Sequence, residues 1–290
     1  MKRMKMELGM GLVLGILLLG GEVAMAQAPA MQQPSTPAQQ DKPVAPITTQ
    51  PLTLDAAPPP VSAEEDAAMK TFRDSPITDL AKKNQLGENF VQKYPQSRYC
   101  VEVYGWLVRG YFGVSDIDKM EAAGDKELAL DPNDPTTLAL IGQALPRALS
   151  GSMSAADREK RLAKAEQYSK KALDLIPALP KPPSLTDEQF LAAKNQTSAM
   201  AYSGLGLVAF RRGKYADAIT NLEQSVKIDT IPDPVNYYIL GISNEKSSHF
   251  DDAIAAFTKC SGMPGGMQDR CKSGAEEAKK LSTTQLSTPK

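Results

Sequence analysis

Between Ala199 and Cys260 the chain runs twice through one pattern. The first pass is Tyr202, Leu205-Gly206, Phe210, Gly213, Tyr215, Ala218-Ile219, Leu222, Val226 and Ile228. The second is Tyr237, Leu240-Gly241, Glu245, Ser248, Phe250, Ala253-Ile254, Phe257 and Met263. Gly206 and Gly241 lie 35 residues apart, as do Ala218 and Ala253. Two helices per unit at this period imply a solenoid, because one helical hairpin cannot bury its apolar face alone and must stack on a neighbour. No run of alternating β-branched residues is long enough to suggest a sheet. The expected fold class is therefore all-α.

These residues resemble the tetratricopeptide repeat (TPR): a large aromatic, Leu-Gly three residues on, a short turn with an aromatic, then a small residue at the helix crossing. The resemblance implies a right-handed TPR helical solenoid of about four repeats plus flanking helices, following a disordered N-terminal linker. It also implies a protein-binding scaffold. Val101–Asp131 fits a first repeat, with Tyr104, Leu107, Val108 and Tyr111 on its first helix. It departs from the pattern at Val108 (usually Gly), Gly124 (usually aromatic) and Glu127 (usually Ala). Asp131-Pro132-Asn133-Asp134 ends it. Pro135–Pro177 fits a second repeat, in which Pro146 is expected to end or kink the first helix. Here Gly142 and Ala165 are 23 residues apart, against 12 from Gly206 to Ala218. The extra residues, about Ser150–Arg161, are expected to form a polar loop, either functional or merely tolerated.

A Pro-rich connector, Pro177–Ser184, precedes a long helix over Asp187–Arg212 that begins with N-cap chemistry at Thr186. At the far end Gln268–Leu281 reads as an amphipathic helix with Cys271, Ala275, Ala278 and Leu281 inward, capping the last repeat. Before the repeats, Ser62 and Glu65 fit a capping box, Asp74-Ser75-Pro76 breaks that helix, and a second helix spans Ile77–Lys93 up to Tyr94-Pro95.

The N-terminus reads as an export signal. Lys2, Arg3 and Lys5 precede the apolar run Leu8–Gly21, and Ala24-Met25-Ala26 fits a cleavage site. This run of 14 residues is shorter than the roughly 20 needed to span a bilayer. A cleaved Sec-type signal would deliver the chain to the periplasm or outside the cell; the other reading is an uncleaved N-terminal anchor, the one way this chain would hold a membrane. Gln27–Pro60 is rich in Pro, Gln, Ala and Thr and has few large apolar residues, the composition of a disordered spacer or passive tail. The expected division is signal 1–26, linker 27–60, N-terminal helices 61–98, solenoid with cap 99–283 and tail 284–290. The signal, the spacer, the connector Ala178–Pro182 and the turn Cys260–Gly266 together resemble exported TPR proteins of bacterial envelopes, in particular an acidobacterial type.

A formal net charge of −1 argues against nucleic-acid binding, which needs a basic stripe to engage phosphates. One histidine, His249, falls at an inter-helix turn, where exposure rather than catalysis is expected. One His and no C-x2-C pair build no metal set. Gly204-x-Gly206-x-x-Ala209 matches a loose dinucleotide fingerprint but follows no strand, so it reads as small residues where helices pack closely. No catalytic residue and no cofactor are expected. Of the three cysteines, Cys260 and Cys271 flank a tight turn. In an exported chain they would either form a bridge or remain two small buried hydrophobes.

In TPR arrays the first, or A, helix of each unit lines a concave groove. Carried onto this sequence, the resemblance places Glu102, Arg109 and Phe112 there, followed by Gln143 and Arg147. Met200, Leu207, Phe210 and Arg211 come next, then Tyr238, Ile242, Glu245 and Lys246. Each is either a groove contact or ordinary packing between helices. The Lys/Asn set with which TPR adaptors grip a C-terminal carboxylate is absent, its places held by Gly105, Ala139, Ser203 and Tyr238. The expected function is a non-enzymatic scaffold that binds another exported or envelope protein in the groove; the alternatives are a wall- or glycan-associated structural protein and an enzyme of unseen chemistry.

Overall fold

The computed structural model describes residues 61–231 and 233–286. The expected signal and linker lie outside them. Among the described residues eleven helices follow one another: α1 Ala63–Asp74, α2 Leu80–Lys93, α3 Cys100–Gly113, α4 Ile117–Leu130, α5 Pro135–Ala144, α6 Ala155–Leu175, α7 Asp187–Arg211, α8 Tyr215–Ile228, α9 Pro234–Lys246, α10 Phe250–Ser261 and α11 Gln268–Leu286. One 3-10 turn, Ile176–Ala178, follows α6, and no strand occurs among the described residues. The helices pair as hairpins α3/α4, α5/α6, α7/α8 and α9/α10, while α3, α5, α7, α9 and α11 also touch in succession. The A helices therefore share one wall of a solenoid, and α11 takes the place of a fifth.

Short polar side chains start several of these helices by accepting from orphan backbone N–H groups, whereas α3, α8 and α10 have no such cap. Ser62 Oγ accepts from Glu65 at 3.1 Å, Asp79 from Lys82 at 3.0 Å, Asp116 from Lys119 at 3.2 Å and Ser154 from Asp157 at 3.0 Å. Thr186 and Gln189 complete a reciprocal capping box. Each such cap contributes about 1 kcal/mol.

Small residues let the helices approach. A Cβ on Gly204 of α7 would lie 2.8 Å from the backbone of Gly142 on α5, and one on Gly206 would lie 2.6 Å from Leu222. The apparent dinucleotide fingerprint is thus a helix crossing. The Phe257 ring is held between Gly241 and Gly274, either of which would meet it at 2.7 Å if it carried a Cβ. Gly274 meets that ring as Gly241 does, so α11 occupies the place of a further first helix. The hairpin turn also recurs. Ser115, Gly213 and Ser248 take φ of 60°, 73° and 62°, each seven residues after Val108, Gly206 and Gly241.

One continuous core runs from Met69 and Phe72 through Val103, Met120, Ile141 and Leu145 to Val208. Smaller clusters continue it around Leu222 and Leu240, then around Phe257 and Ala278. Cys260 and Cys271 are bonded, with Cα atoms 5.7 Å apart, and join α10 to α11. Cys100 is buried and its Sγ donates to the Tyr94 carbonyl at 3.3 Å. Among the described residues no helix is long and apolar enough to cross a membrane.

Three boundaries differ from the sequence reading. The segment 150–161 is not a polar loop, since α6 begins at Ala155 and only residues 150–154 remain outside a helix. Its charged residues are good helix formers behind a Ser cap, and they bridge neighbours. Arg161 pairs with Asp118 and Glu121 of α4, and on the other flank Glu159 pairs with Arg212. Helix α2 starts at Leu80 rather than Ile77, because Asp79 caps it. Helix α11 runs past Leu281, the expected end of the cap, to Leu286, which lies within the expected tail 284–290.

A buried lysine ties α1 to the rest. Lys83 Nζ donates to the carbonyls of Phe72 at 2.9 Å and Ser75 at 3.0 Å, at the end of α1. It also lies 4.7 Å and 4.8 Å from the Phe72 and Trp106 ring centroids. Burial lowers its pKa from the ordinary lysine value. Lys83→Met keeps the stem, removes both bonds and leaves the Ser75 carbonyl unpaired, while the Phe72 carbonyl still accepts from Ser75, which should cost about 2 kcal/mol. The expected result is faster hydrogen exchange confined to α1, and unchanged exchange there would refute the clamp.

Candidate functional site

The sequence-predicted groove residues fall into three groups. Gln143, Met200 and Leu207 are buried, exposed by only 6%, 6% and 3%. Gln143 sits in the seam with α7, where it donates to Ser203, Met200 joins the continuous core, and none of the three offers surface to a ligand. Tyr238 and Ile242 are half-buried against the cluster of Phe257, Ala275 and Ala278, with the Tyr238 and Phe257 ring centroids 5.8 Å apart. Their contacts hold the cap.

Arg147 belongs to a polar network that joins three units. Pro146 lies in the turn just beyond α5, which stops at Ala144, and Arg147 leaves in that turn. Its Nη1 donates to Asp233 Oδ2 at 2.6 Å, and its Nη2 to Ser203 Oγ and Asn236 Oδ1, both at 3.2 Å. Ser203 Oγ also donates to Asn236 Oδ1 at 2.6 Å and accepts from Gln143 Nε2 at 3.2 Å. Asn236 Nδ2 donates to Ser225 Oγ, which donates onward to the Ala199 carbonyl at 2.8 Å. Sequence reading missed Asp233 and Asn236. Nothing but Asp233 standing before Pro234 as a helix cap marked either of them.

The remaining candidates stay accessible. Arg109 is partly buried on α3, its guanidinium 4.9 Å from the Trp106 ring centroid, and has no hydrogen-bond partner among the described residues. Burial lowers its pKa below the ordinary arginine value, while Asp134, Glu127 and Glu102 act in the opposite direction. Glu102 is already engaged by Arg73 from α1 at 2.6 Å. Phe112 and Phe210 are half-buried, the latter 6.1 Å from Tyr215. Arg211 is exposed, with Nε donating to the Pro146 carbonyl at 3.0 Å. Glu245 and Lys246 lie 3.7 Å apart at the end of α9. This arrangement can hold an extended chain by stacking and charge. It brings no nucleophile and base together, and His249 is exposed at the start of α10.

Hairpin order, period and glycine crossings define a helical-repeat protein of the TPR type. No known family model matches the chain, and no curated protein matches it. Among solved structures it is similar to a thermophilic TPR protein of Thermus thermophilus. That match has 16% identity and a TM-score of 0.44, and covers 73% of this chain and 95% of that one. It is also similar to PilW, a widely conserved type IV pilus biogenesis factor, with 17% identity, a TM-score of 0.47 and coverage of 78% and 93%.

Proposed function

We propose that the chain is a non-enzymatic scaffold of the cell envelope that binds a segment of another exported or envelope protein along its A-helix wall. The observation that carries this reading is Arg109, a cation fixed on an indole face with its donors unspent. Holding a guanidinium partly out of water without a partner is costly, and a ligand acceptor would offset that cost. Phe112 and Phe210 supply apolar anchors on the same wall, and Arg211 a second cation, which suits an extended segment with acidic and apolar residues. The export signal in residues 1–26 supports the location.

The test is affinity capture from an envelope extract with the tagged chain, compared with Arg109→Gln/Arg211→Gln. These substitutions leave the core and caps untouched, so circular dichroism should match the wild type. A protein retained by the wild type and weakened roughly tenfold or more in the variant supports the reading. Equal retention by both would refute use of this wall.

A further inference from the structure

A second cleft opens between α8 and α10 over α9, on a different stripe of α9 from Tyr238 and Ile242. Its volume is about 220 Å³, and Glu223, Tyr237, Leu240, Asn244 and Asp252 are among the residues that line it. The first repeat contains the same constellation. Tyr237, Leu240, Ala255, Ala256 and Lys259 each have the identical residue 133 positions earlier: Tyr104, Leu107, Ala122, Ala123 and Lys126. Glu223 stands five residues before the end of α8, as Glu88 stands five before the end of α2.

Two positions differ. In the first repeat Tyr111 fills the space, its hydroxyl donating to Glu88. Lys119 Nζ reaches the same Glu88 carboxylate at 3.1 Å and lies 5.3 Å from the Tyr111 ring centroid. In the last repeat these residues are Asn244 and Asp252. The ring is gone, the cation has become a second carboxylate, and the formal charge of Glu223, Asp252 and Lys259 is −1 where Glu88, Lys119 and Lys126 give +1. Asn244 is 2% exposed and lines the cleft, yet its amide has no hydrogen-bond partner among the described residues. The amide is not sealed from solvent and opens into the cleft, where a further partner can reach it. Neither Glu223 nor Asp252 is ion-paired among the described residues.

The structure assigns this cleft to an arginine side chain of a partner polypeptide. The cleft suits the chemistry that the first repeat supplies from within: a flat group and a positive charge. A guanidinium provides both, with donors in a fork that suits carboxylates and a planar face to replace the phenol. Its aliphatic stem would lie over Leu240, Ala255 and Ala256. Asn244 Oδ1 would accept one of its N–H groups. The site shares no residue with the Arg109 wall, so either proposal can fail alone.

The probe is a fluorescein-labelled Gly/Ser peptide with a central Arg-Gly-Arg, titrated into the full chain by fluorescence polarisation beside its lysine and citrulline versions. Saturable binding by the arginine peptide is expected, with the neutral citrulline and the point-charge lysine versions each roughly tenfold weaker or more. Asn244→Tyr/Asp252→Lys rebuilds the first repeat's filled set and should abolish binding while melting no lower than wild type. Asp252→Asn, at an exposed position, is the second variant and should weaken binding severalfold. Absence of saturable binding, equal affinity for citrulline or lysine, or unchanged binding by folded variants would overturn the assignment.

Discussion

Glu127→Gln should melt well above the wild type at pH 8.5 and close to it at pH 5. Glu127 is a carboxylate 2% exposed, placed where α4 faces α5. Desolvation, reinforced by Asp134 and Asp131, raises its pKa to about 8, against weaker downward pulls from Thr137 and Arg109. Neither Glu127 Oε2 nor Thr137 Oγ1 completes a hydrogen bond. The folded chain therefore keeps a proton that the unfolded chain releases near 4.5. Where the native state binds more protons, stability falls as pH rises. The loss begins above about 4.5 and is complete above about 8. At 1.36 kcal/mol per unit the cost is on the order of 3–5 kcal/mol. Glutamine keeps the shape and cannot ionise, so it removes that cost at high pH alone. Thermal unfolding of both chains at the two pH values, followed by circular dichroism, measures it. A difference that is the same at both would show that Glu127 does not titrate in this window.

Much of this fold could be read from the residues because its determinants are local. The Thr186 cap and the stop at Pro146 act within a few residues of themselves, and Gly206 and Gly241 each meet a side chain 16 residues on, inside their own hairpin. Segment 150–161 was misread because polarity alone does not separate a loop from a helix whose charges bridge neighbours. Arg161 and Glu159 find their partners 43 and 53 residues away. The candidate wall was less legible. Position along an A helix identifies which stripe a residue occupies, but not whether the next A helix covers it, as α7 covers Gln143. Glu127 stood out in sequence as an intruder at a small-residue position, although only burial gives that intrusion its energetic meaning.

Arg147→Met should split the unfolding of the array. The side chains of Arg147 and Asp233 are 20% and 25% exposed, between a surface pair and a buried one. Surface pairs contribute about 0–1 kcal/mol, while removing one partner of a buried pair costs about 3–5 kcal/mol. The two further bonds to Ser203 and Asn236 favour a loss near 2–3 kcal/mol. Its location matters more than its size. In a repeat protein, stability is a sum of unit terms and interface terms, and cooperativity rests on the interfaces. Arg147 leaves the second unit and grips the third and fourth at once, through residues 56 to 89 positions away. Without it α9–α11 should unfold at lower urea than α3–α6, giving two transitions where the wild type shows one. Arg147→Lys keeps the charge but loses the fork, so it should fall between. A double-mutant cycle with Asp233→Asn should give a coupling of about 1 kcal/mol or more. An additive cycle with a single unsplit transition would reduce the network to ordinary surface contacts and leave apolar packing as the sole coupling between the units.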